Sequence, residues 1–492
     1  MQRDTLKALY DVHSWLGLFL GLVLYVVLFS GSVSLFVDEL RPWETGSLSS
    51  TERLDASALD AAVAHAGSAI APGTGFSVEP NSRYHPWITV HSGDGHGPQT
   101  ASYYHPRQGT EVSIPQESIA LLLERLHTDL LLPSPWGRYL TGLLGVAMLV
   151  SLGTGVFMHR KIFREMWRLR LWRSTRLKWA DLHKAVAVWG LPFHLMIAFT
   201  GTYLGLVGFT LLLNAFVAFG GDVESATTAL GGISLEASGE AALMLPTSTL
   251  VQSVQTALPG FTPEYLAYNH YGDRNATILV LGALPETLIY RPGALVSAAS
   301  GKLIEVINWR SDHWARALYG AMTPLHYASY GGLLLKVLYA VLGLGASFLV
   351  VSGLRIWQLR VQPHAGDWRL PLIAGVCYGL PLAMAIILCT SRLLTAATFS
   401  SYQGRLSLFL TAWVMAVLFA FWRRQRNPGT ALCRWTALLL ALLPVATALG
   451  GRTSPEALLR AGVTSPALMV EMTLCLMGIT GLVVIRAKGS PR

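Results

Sequence analysis

Residues 179–205 read WADLHKAVAVWGLPFHLMIAFTGTYLG, an apolar run long enough to cross a bilayer as one helix. It carries His183 and His194, which lie about 16 Å apart along such a helix and roughly 20° apart around it. Ionisable side chains inside a membrane are costly and usually functional. Stacked histidines in a helical bundle are typical of proteins that hold two haems at two depths. We therefore predict that both are haem ligands; the alternative is one interfacial histidine and one hydrogen-bonded to a neighbouring helix.

The composition indicates a membrane protein and not a soluble enzyme. Of the 492 residues, 52% are apolar and only 13% are charged, and runs of about 20 apolar residues recur. The net charge of +9 comes largely from arginines in short loops between these runs, so it indicates membrane topology and not nucleic-acid binding. The four cysteines lie in apolar stretches of the C-terminal half, which indicates neither a disulfide framework nor a zinc site.

Apolar runs and loops divide the chain into six predicted segments. They are a first transmembrane helix at 1–37, a first outer domain at 38–135, transmembrane helices 2 and 3 with a basic loop at 136–218, a second outer domain at 219–322, transmembrane helix 4 at 323–360, and a C-terminal module of four transmembrane helices at 361–492. The loop at 160–182 holds eight Lys or Arg and two acidic residues, which predicts that it and both termini are cytoplasmic. The last four spans contain no histidine and are predicted to be a scaffold or accessory module.

The first 360 residues contain one unit twice. The matching segments are LKALYDVH at 6–13 with LKWADLH at 177–183, FSG at 29–31 with FTG at 199–201, and LHT at 126–128 with LHY at 325–327. Each unit is a span, a small α+β outer domain and a second span. Two copies predict a four-helix core with pseudo-twofold symmetry. The predicted fold class is thus an all-α polytopic membrane protein of about eight transmembrane helices, with two α+β outer domains.

Six histidines lie at two or three levels of this core. They are His13, His159 and His183 at the cytoplasmic ends of the first three spans, His127 and His326 just outside the membrane, and His194 within the bilayer. A bis-histidine haem takes one ring from each of two facing helices. The inner site would pair His183 with His13 or His159. The outer site would pair His194 with His326 or His127. The sequence does not choose between these partners, and the alternative is that several are hydrogen-bonded caps or pH-sensitive interface residues. Because no Cys-x-x-Cys-His is present, we expect two non-covalent b haems.

In this order, the motifs of residues 1–360 resemble the PepSY-associated transmembrane family, which includes iron-regulated inner-membrane siderophore reductases. The motifs are HSWLGL at 13–18, HTDLL at 127–131, TG at 154–155 with HRK at 159–161, DLHK at 181–184, FTG at 199–201, and PLHY at 324–327 with GG at 331–332. The resemblance implies PepSY-like domains in the periplasm, two b haems in the helix core, and reduction of ferric siderophore at the periplasmic face of the bacterial inner membrane.

The chain departs from the simplest members of that family by its four additional C-terminal spans. It also lacks a flavodoxin or dinucleotide-binding segment, so the electron donor would be a membrane quinol or a separate cytoplasmic protein. Reduction would release Fe(II), because the hard oxygen ligands of siderophores prefer Fe(III). Two other classes stay open: a non-enzymatic regulator whose outer domains bind a periplasmic peptide or protease, and a transporter of siderophore or metal.

Overall fold

A computed structural model describes residues 3–489 except for 46–52, 72, 83, 93–99, 115–117, 160–161, 224, 227–234, 285–290, 308–313, 363, 365, 395–400, 425 and 451–464. Arg160 and Lys161 of the HRK motif therefore lie outside the described residues. The chain forms two compact units. The helical unit comprises residues 1–48, 116–207 and 326–492, and the sheet unit comprises residues 49–115 and 208–325.

Helices make up most of the described chain. In chain order they are α1 (Arg3–Phe19), α2 (Gly21–Ser34), α3 (Val37–Thr45), α4 (Ala56–Ala69), α5 (Ser118–Thr128), α6 (Trp136–Met158), α7 (Ile162–Glu165), α8 (Thr175–Trp189), α9 (Leu191–Ala218), α10 (Thr247–Ala257), α11 (Trp314–Tyr327), α12 (Gly332–Val361), α13 (Arg369–Leu393), α14 (Tyr402–Trp422), α15 (Pro428–Ala441), α16 (Leu443–Gly450) and α17 (Pro466–Gly489).

Among the described residues, six helices are long and apolar enough to cross a membrane. They are α6, α9, α12, α13, α14 and α17. Two bent pairs also meet this criterion when each is taken together: α1 with α2, bent by 67°, and α15 with α16, bent by 46°. The chain thus has six to eight candidate spans, as a polytopic membrane protein requires, and the count of eight stays a prediction.

The apolar run at 179–205 is not one continuous helix. α8 ends at Trp189, and α9 begins at Leu191 after the intervening Gly190. Pro192 has no N–H to donate to the carbonyl of Val188, so the regular hydrogen-bond ladder is broken at this point. The expectation of one continuous helix is therefore corrected, although His183 and His194 both approach α12, at Ser352 and Leu342.

The C-terminal helices pack directly onto the first copy of the repeat. α13 contacts α2, α14 contacts α5, and α17 contacts α3. The Tyr25 hydroxyl of α2 donates to the carbonyl of Cys377 on α13 at 2.6 Å. Fully buried Trp43 of α3 donates its indole N–H to Glu471 of α17, and the Arg392 guanidinium lies 3.9 Å from the centre of the Trp43 ring. Buried polar and apolar contacts thus join this module to the helices that carry the histidines.

The sheet unit contains one antiparallel sheet built from both outer domains. Its strands are β1 (Phe76–Glu79), β2 (Ile88–Ser92), β3 (Thr100–Tyr104), β4 (Glu111–Val112), β5 (Thr262–Asn269), β6 (Thr277–Ala283), β7 (Gly293–Ser297) and β8 (Leu303–Ile307). Their order is β4-β3-β2-β1-β5-β6-β7-β8, so the first strands of the two copies pair at the centre. We expected two separate outer domains. The structure joins them, which removes an exposed edge from each half of the sheet.

Helices α4 and α10 cover the core of the sheet unit. Leu59 and Val63 of α4 and Leu250 and Val254 of α10 are buried in one cluster with the strands. Between the helices, Ser248 donates its backbone N–H and its hydroxyl to the Asp60 carboxylate at 2.8 and 2.6 Å. The duplication is therefore visible in this unit as one helix and one half-sheet from each copy.

Candidate functional site

The rings of His13 and His183 face each other in the helical unit. Their centroids are 6.4 Å apart, and their planes are at 88°. His13 of α1 lies with Nδ1 3.0 Å from the carbonyl oxygen of Ser151 and 3.3 Å from the Thr154 hydroxyl, both on α6. His183 of α8 lies with Nδ1 2.9 Å from the Ser352 hydroxyl on α12. We call this the inner pair; it unites the first histidine of each copy.

The rings of His127 and His326 form a second pair. Their centroids are 6.0 Å apart, and their planes are within 19° of parallel. His127 of α5 lies with Nδ1 2.9 Å from the carbonyl oxygen of Val27 on α2. His326 of α11 lies with Nδ1 2.9 Å from the Thr200 hydroxyl on α9. This outer pair brings together the histidines of the matching LHT and LHY segments of the two copies.

The hydrogen bonds determine the tautomer of all four rings. A backbone carbonyl can only accept, so His13 and His127 donate from Nδ1. The Thr200 hydroxyl already donates to the Met196 carbonyl, and the Ser352 hydroxyl to that of Leu349, so both hydroxyls accept from histidine. Each ring therefore carries its proton on Nδ1 and a lone pair on Nε2. Within the described residues, no hydrogen bond reaches any of these four Nε2 atoms.

A glycine of the supporting helix lies against each ring. The contacts are Gly31 with His127, Gly155 with His13, Gly201 with His326, and Gly353 with His183. The closest is at Gly31, where a Cβ atom would come 2.5 Å from Cε1 of the ring. Each glycine follows a Ser or Thr, so a Ser/Thr-Gly dipeptide marks all four supporting positions. The recurrence of this dipeptide in the sequence is the signal that could have predicted which helix positions contact the rings.

The two pairs lie at different levels of the helix bundle. On α2, Gly31 contacts the ring of His127, whereas Gly21 contacts Val350, which is two residues from the serine that supports His183. Ten helical residues separate these two glycines, which corresponds to roughly 15 Å along the axis.

His194 is placed differently from the expectation. Its ring is fully buried on α9, and its Nε2 lies 3.3 Å from the carbonyl oxygen of Leu342 on α12. Since that carbonyl must accept, His194 carries its proton on Nε2, the reverse of the four paired rings. Its Nδ1 is buried without a hydrogen-bond partner among the described residues. The expected outer partners of His194, His326 and His127, face each other instead.

His159 is the other expected ligand outside the two pairs. It follows the last residue of α6 as the helix cap and is exposed. Its backbone N–H donates to the carbonyl of Val156, and within the described part of the chain its side chain makes no hydrogen bond or ring contact. Of the two inner partners that the sequence left open for His183, the structure brings His13 to it.

A charged group anchors α8 beside the inner pair. The buried Asp181 carboxylate accepts hydrogen bonds from the backbone N–H, Nε and Nη2 of Arg170, at 2.8 to 2.9 Å. It also accepts a hydrogen bond from the Lys184 ammonium group at 3.2 Å. The hydrogen bonds from Arg170 hold the pKa of Asp181 well below its usual range. The Asp and Lys of the DLHK motif therefore tie the middle of α8, on either side of His183, to the segment that precedes the helix.

The ring separation in both pairs matches the separation that bis-histidine ligation of a haem would require. With metal–nitrogen bonds of about 2 Å, a metal shared by two Nε2 atoms in line separates the ring centroids by roughly 6.3 Å. The observed separations are 6.4 and 6.0 Å. All four rings lie between helices yet are only half-buried, so open space adjoins them. No group of three or more His, Cys, Asp or Glu forms a metal site among the described residues. A haem needs only two protein ligands, because the porphyrin supplies the other four.

Comparison with known proteins identifies the same part of the chain. The family described as "PepSY-associated TM region" matches residues 10–360, which include all six histidines named above and exclude the C-terminal module. The chain is also 32% identical over 315 residues to the uncharacterized protein PA4219 of Pseudomonas aeruginosa, in an alignment that covers 61% of this chain and 79% of that protein. The family expected from the sequence motifs is confirmed. The chain belongs to the PepSY-associated transmembrane family.

Proposed function

We propose that this chain is a haem b electron-transfer protein of the bacterial inner membrane that reduces ferric siderophore at the periplasmic face. The observation that carries the proposal is the presence of two facing imidazole pairs at two depths, all four with Nε2 free of hydrogen bonds among the described residues. His13 and His183 would hold one haem, and His127 and His326 the other. His194, which the sequence predicts as a ligand, is not a ligand in this proposal.

When bound, the two haems would each carry one electron, at two depths in the helix bundle. The protein's part is to orient the ligands and set their basicity. An imidazole that donates Nδ1–H to a carbonyl is fixed in the ligating tautomer and becomes a stronger donor at Nε2. His13 and His127 have carbonyl acceptors, whereas His183 and His326 have hydroxyl acceptors. Each pair therefore combines one ring of each kind, and the two sites are chemically alike on this count.

The substrate and donor follow from chemistry and from the family. Siderophore oxygen ligands are hard and prefer Fe(III), so adding one electron gives Fe(II) and weakens its binding. The electron would come from a membrane quinol or a separate cytoplasmic protein. Electron transfer through the haems to Fe(III) requires no acid–base residue, and the two histidine pairs would contribute only ligands. The sheet unit would face the periplasm, where ferric siderophore arrives.

The first experiment is spectroscopic. The purified protein should show the sharp reduced α-band of low-spin b haem, and pyridine haemochrome quantitation should give two haems per chain. Reconstituted protein supplied with a quinol should then produce Fe(II) from ferric siderophore, detected with an Fe(II)-specific chelator. A colourless, correctly folded preparation would remove the redox proposal. Siderophore uptake into proteoliposomes without any electron donor would favour the transporter.

A further inference from the structure

A basic cleft lies between the end of α14 and the start of α15. It has a volume of about 410 Å³. The side chains that matter for the argument are Arg423, Arg426, Asn427, Thr430, Arg434 and Trp435. It is in the C-terminal module and is separate from the histidine pairs.

The arginines of this cleft have no acidic neighbours in the sequence. No Asp or Glu occurs between Asp367 and Glu456. Asp367 itself is paired with Arg369 at 2.6 Å. None of the ion pairs between described residues involves Arg423, Arg426 or Arg434. Three positive charges therefore converge on one concave site without protein carboxylates to balance them, which favours an anionic ligand.

The other lining groups suit a phosphate-bearing ligand. α15 has 14 residues and begins at the cleft, so the positive end of its dipole adds to the arginine charges. The Asn427 amide and Thr430 hydroxyl offer further hydrogen-bond donors. Guanidinium groups bind phosphate oxygens in bidentate geometry, whereas a lysine ammonium group acts only as a point charge.

The position of the cleft selects a lipid as the source of that phosphate. α14 is a candidate span, and α15 begins the bent pair that is another, so their connection lies at a membrane surface. Two tryptophans flank it, Trp422 with 77% and Trp435 with 42% of its surface exposed. Exposed tryptophan is typical of the headgroup level of a bilayer. Basic pockets between transmembrane helices are a recognised way of binding anionic headgroups.

We propose that this cleft binds the headgroup of an anionic phospholipid, with Arg423, Arg426 and Arg434 holding the phosphate and Trp435 covering the glycerol region. The proposal does not depend on haem binding or on siderophore reduction. Its tests therefore succeed or fail separately from those of the proposed function.

The test measures phospholipid binding to the delipidated full chain in detergent by native mass spectrometry. The probes are phosphatidylglycerol and phosphatidylcholine. We expect the wild type to prefer phosphatidylglycerol. The double variant R426Q/R434Q should bind it roughly 30-fold more weakly, since each removed cation near the surface weakens binding about fivefold. The matched control is R424Q, which removes the same charge from an exposed neighbour outside the cleft and should change binding less than twofold.

Several outcomes would overturn the proposal. One is equal binding of the two phospholipids by the wild type. Another is an equal loss in R424Q and in the cleft variants, which would indicate only diffuse surface charge. Displacement of phosphatidylglycerol by equimolar inorganic phosphate would make free phosphate the ligand. If the double variant does not fold, R426Q and R434Q are measured singly. We expect each to bind phosphatidylglycerol about fivefold more weakly than the wild type. Unchanged binding by both would overturn the proposal.

Discussion

Replacing the histidines one at a time by leucine tests the assignment of the two pairs. Each of His13, His127, His183 and His326 supplies half the protein ligands of one proposed haem. The haem content should fall from two to one per chain for any single change among these four. His194→Leu should leave it at two, because its Nε2 is occupied by the Leu342 carbonyl. The expectation from the sequence alone was the opposite for His194.

The size of the effect follows from the ligand geometry. Losing only the hydrogen bond that a metal-ligating side chain makes to a neighbouring protein group commonly weakens metal binding 10- to 100-fold. Losing the ligand itself leaves one imidazole where two were 6.0 or 6.4 Å apart, so the affected site should be empty after purification. Absorbance of the pyridine haemochrome per mole of protein should therefore halve. The remaining haem should keep its low-spin spectrum, because the two levels are roughly 15 Å apart.

Double variants sharpen the assignment. Losses of haem within one pair should not be additive, because either change already empties that site. H13L/H183L should therefore retain one haem, like either single variant. Changes in different pairs should add, so H183L/H326L should retain none. His159→Leu is a matched control, since His159 is exposed at the end of α6.

The reasoning is refuted if His194→Leu loses a haem while His127→Leu keeps both. That result would restore the pairing of His194 with His326. Loss of haem in all variants, including His159→Leu, would show a general failure to fold. Size-exclusion profiles and thermal unfolding midpoints, measured on the same samples, distinguish that case.

Three further predictions concern the groups around these rings and the sheet unit. Gly31→Ala places a methyl group 2.5 Å from the His127 ring and should lose the outer haem, whereas Gly153→Ala, which meets nothing within 4 Å, should keep both; haem counting decides, and equal effects would contradict the packing argument. Thr200→Val removes the acceptor of the His326 proton and should speed transfer of the outer haem to apomyoglobin 10- to 100-fold, while an unchanged rate would deny the hydrogen bond a role. The Asp273 carboxylate accepts backbone N–H groups, first that of Ser238, which lowers its pKa to about 2. Its stabilising effect is complete above its unfolded pKa, near 4, and is lost as the pH falls through about 2. Asp273→Asn should therefore lower the thermal unfolding midpoint of the sheet unit at pH 7, and the difference should disappear near pH 2; a pH-independent difference would contradict this.

Local patterns in the sequence predicted much of the helical unit. Apolar length identified the candidate spans, and repeated short motifs identified the duplication, because both signals lie within a few consecutive residues. The four paired histidines were all named as candidates. The choice of partner could not be made from spacing, since His13 and His183 are 170 residues apart and meet only through helix packing.

Two features of the structure could not be predicted from short stretches of the sequence. The interruption at Gly190 is explained by the missing N–H of Pro192, a single residue in an otherwise continuous apolar run. The joined sheet depends on pairing between β1 and β5, in which Phe76 lies opposite Tyr268. Such a pairing between distant segments leaves no mark in either strand, because each strand alternates in the same way whether its edge is paired or free.

Each pair of rings depends on the duplication of the unit. Each ring is oriented within its own copy: His13 by α6, His127 by α2, and the two rings of the second copy by α12 and α9. Each ring then meets its equivalent from the other copy. One copy alone could orient two imidazoles but could offer only one to each proposed haem. In the proposed function, each unit would orient its own rings, and the duplication would supply the second ligand of each haem.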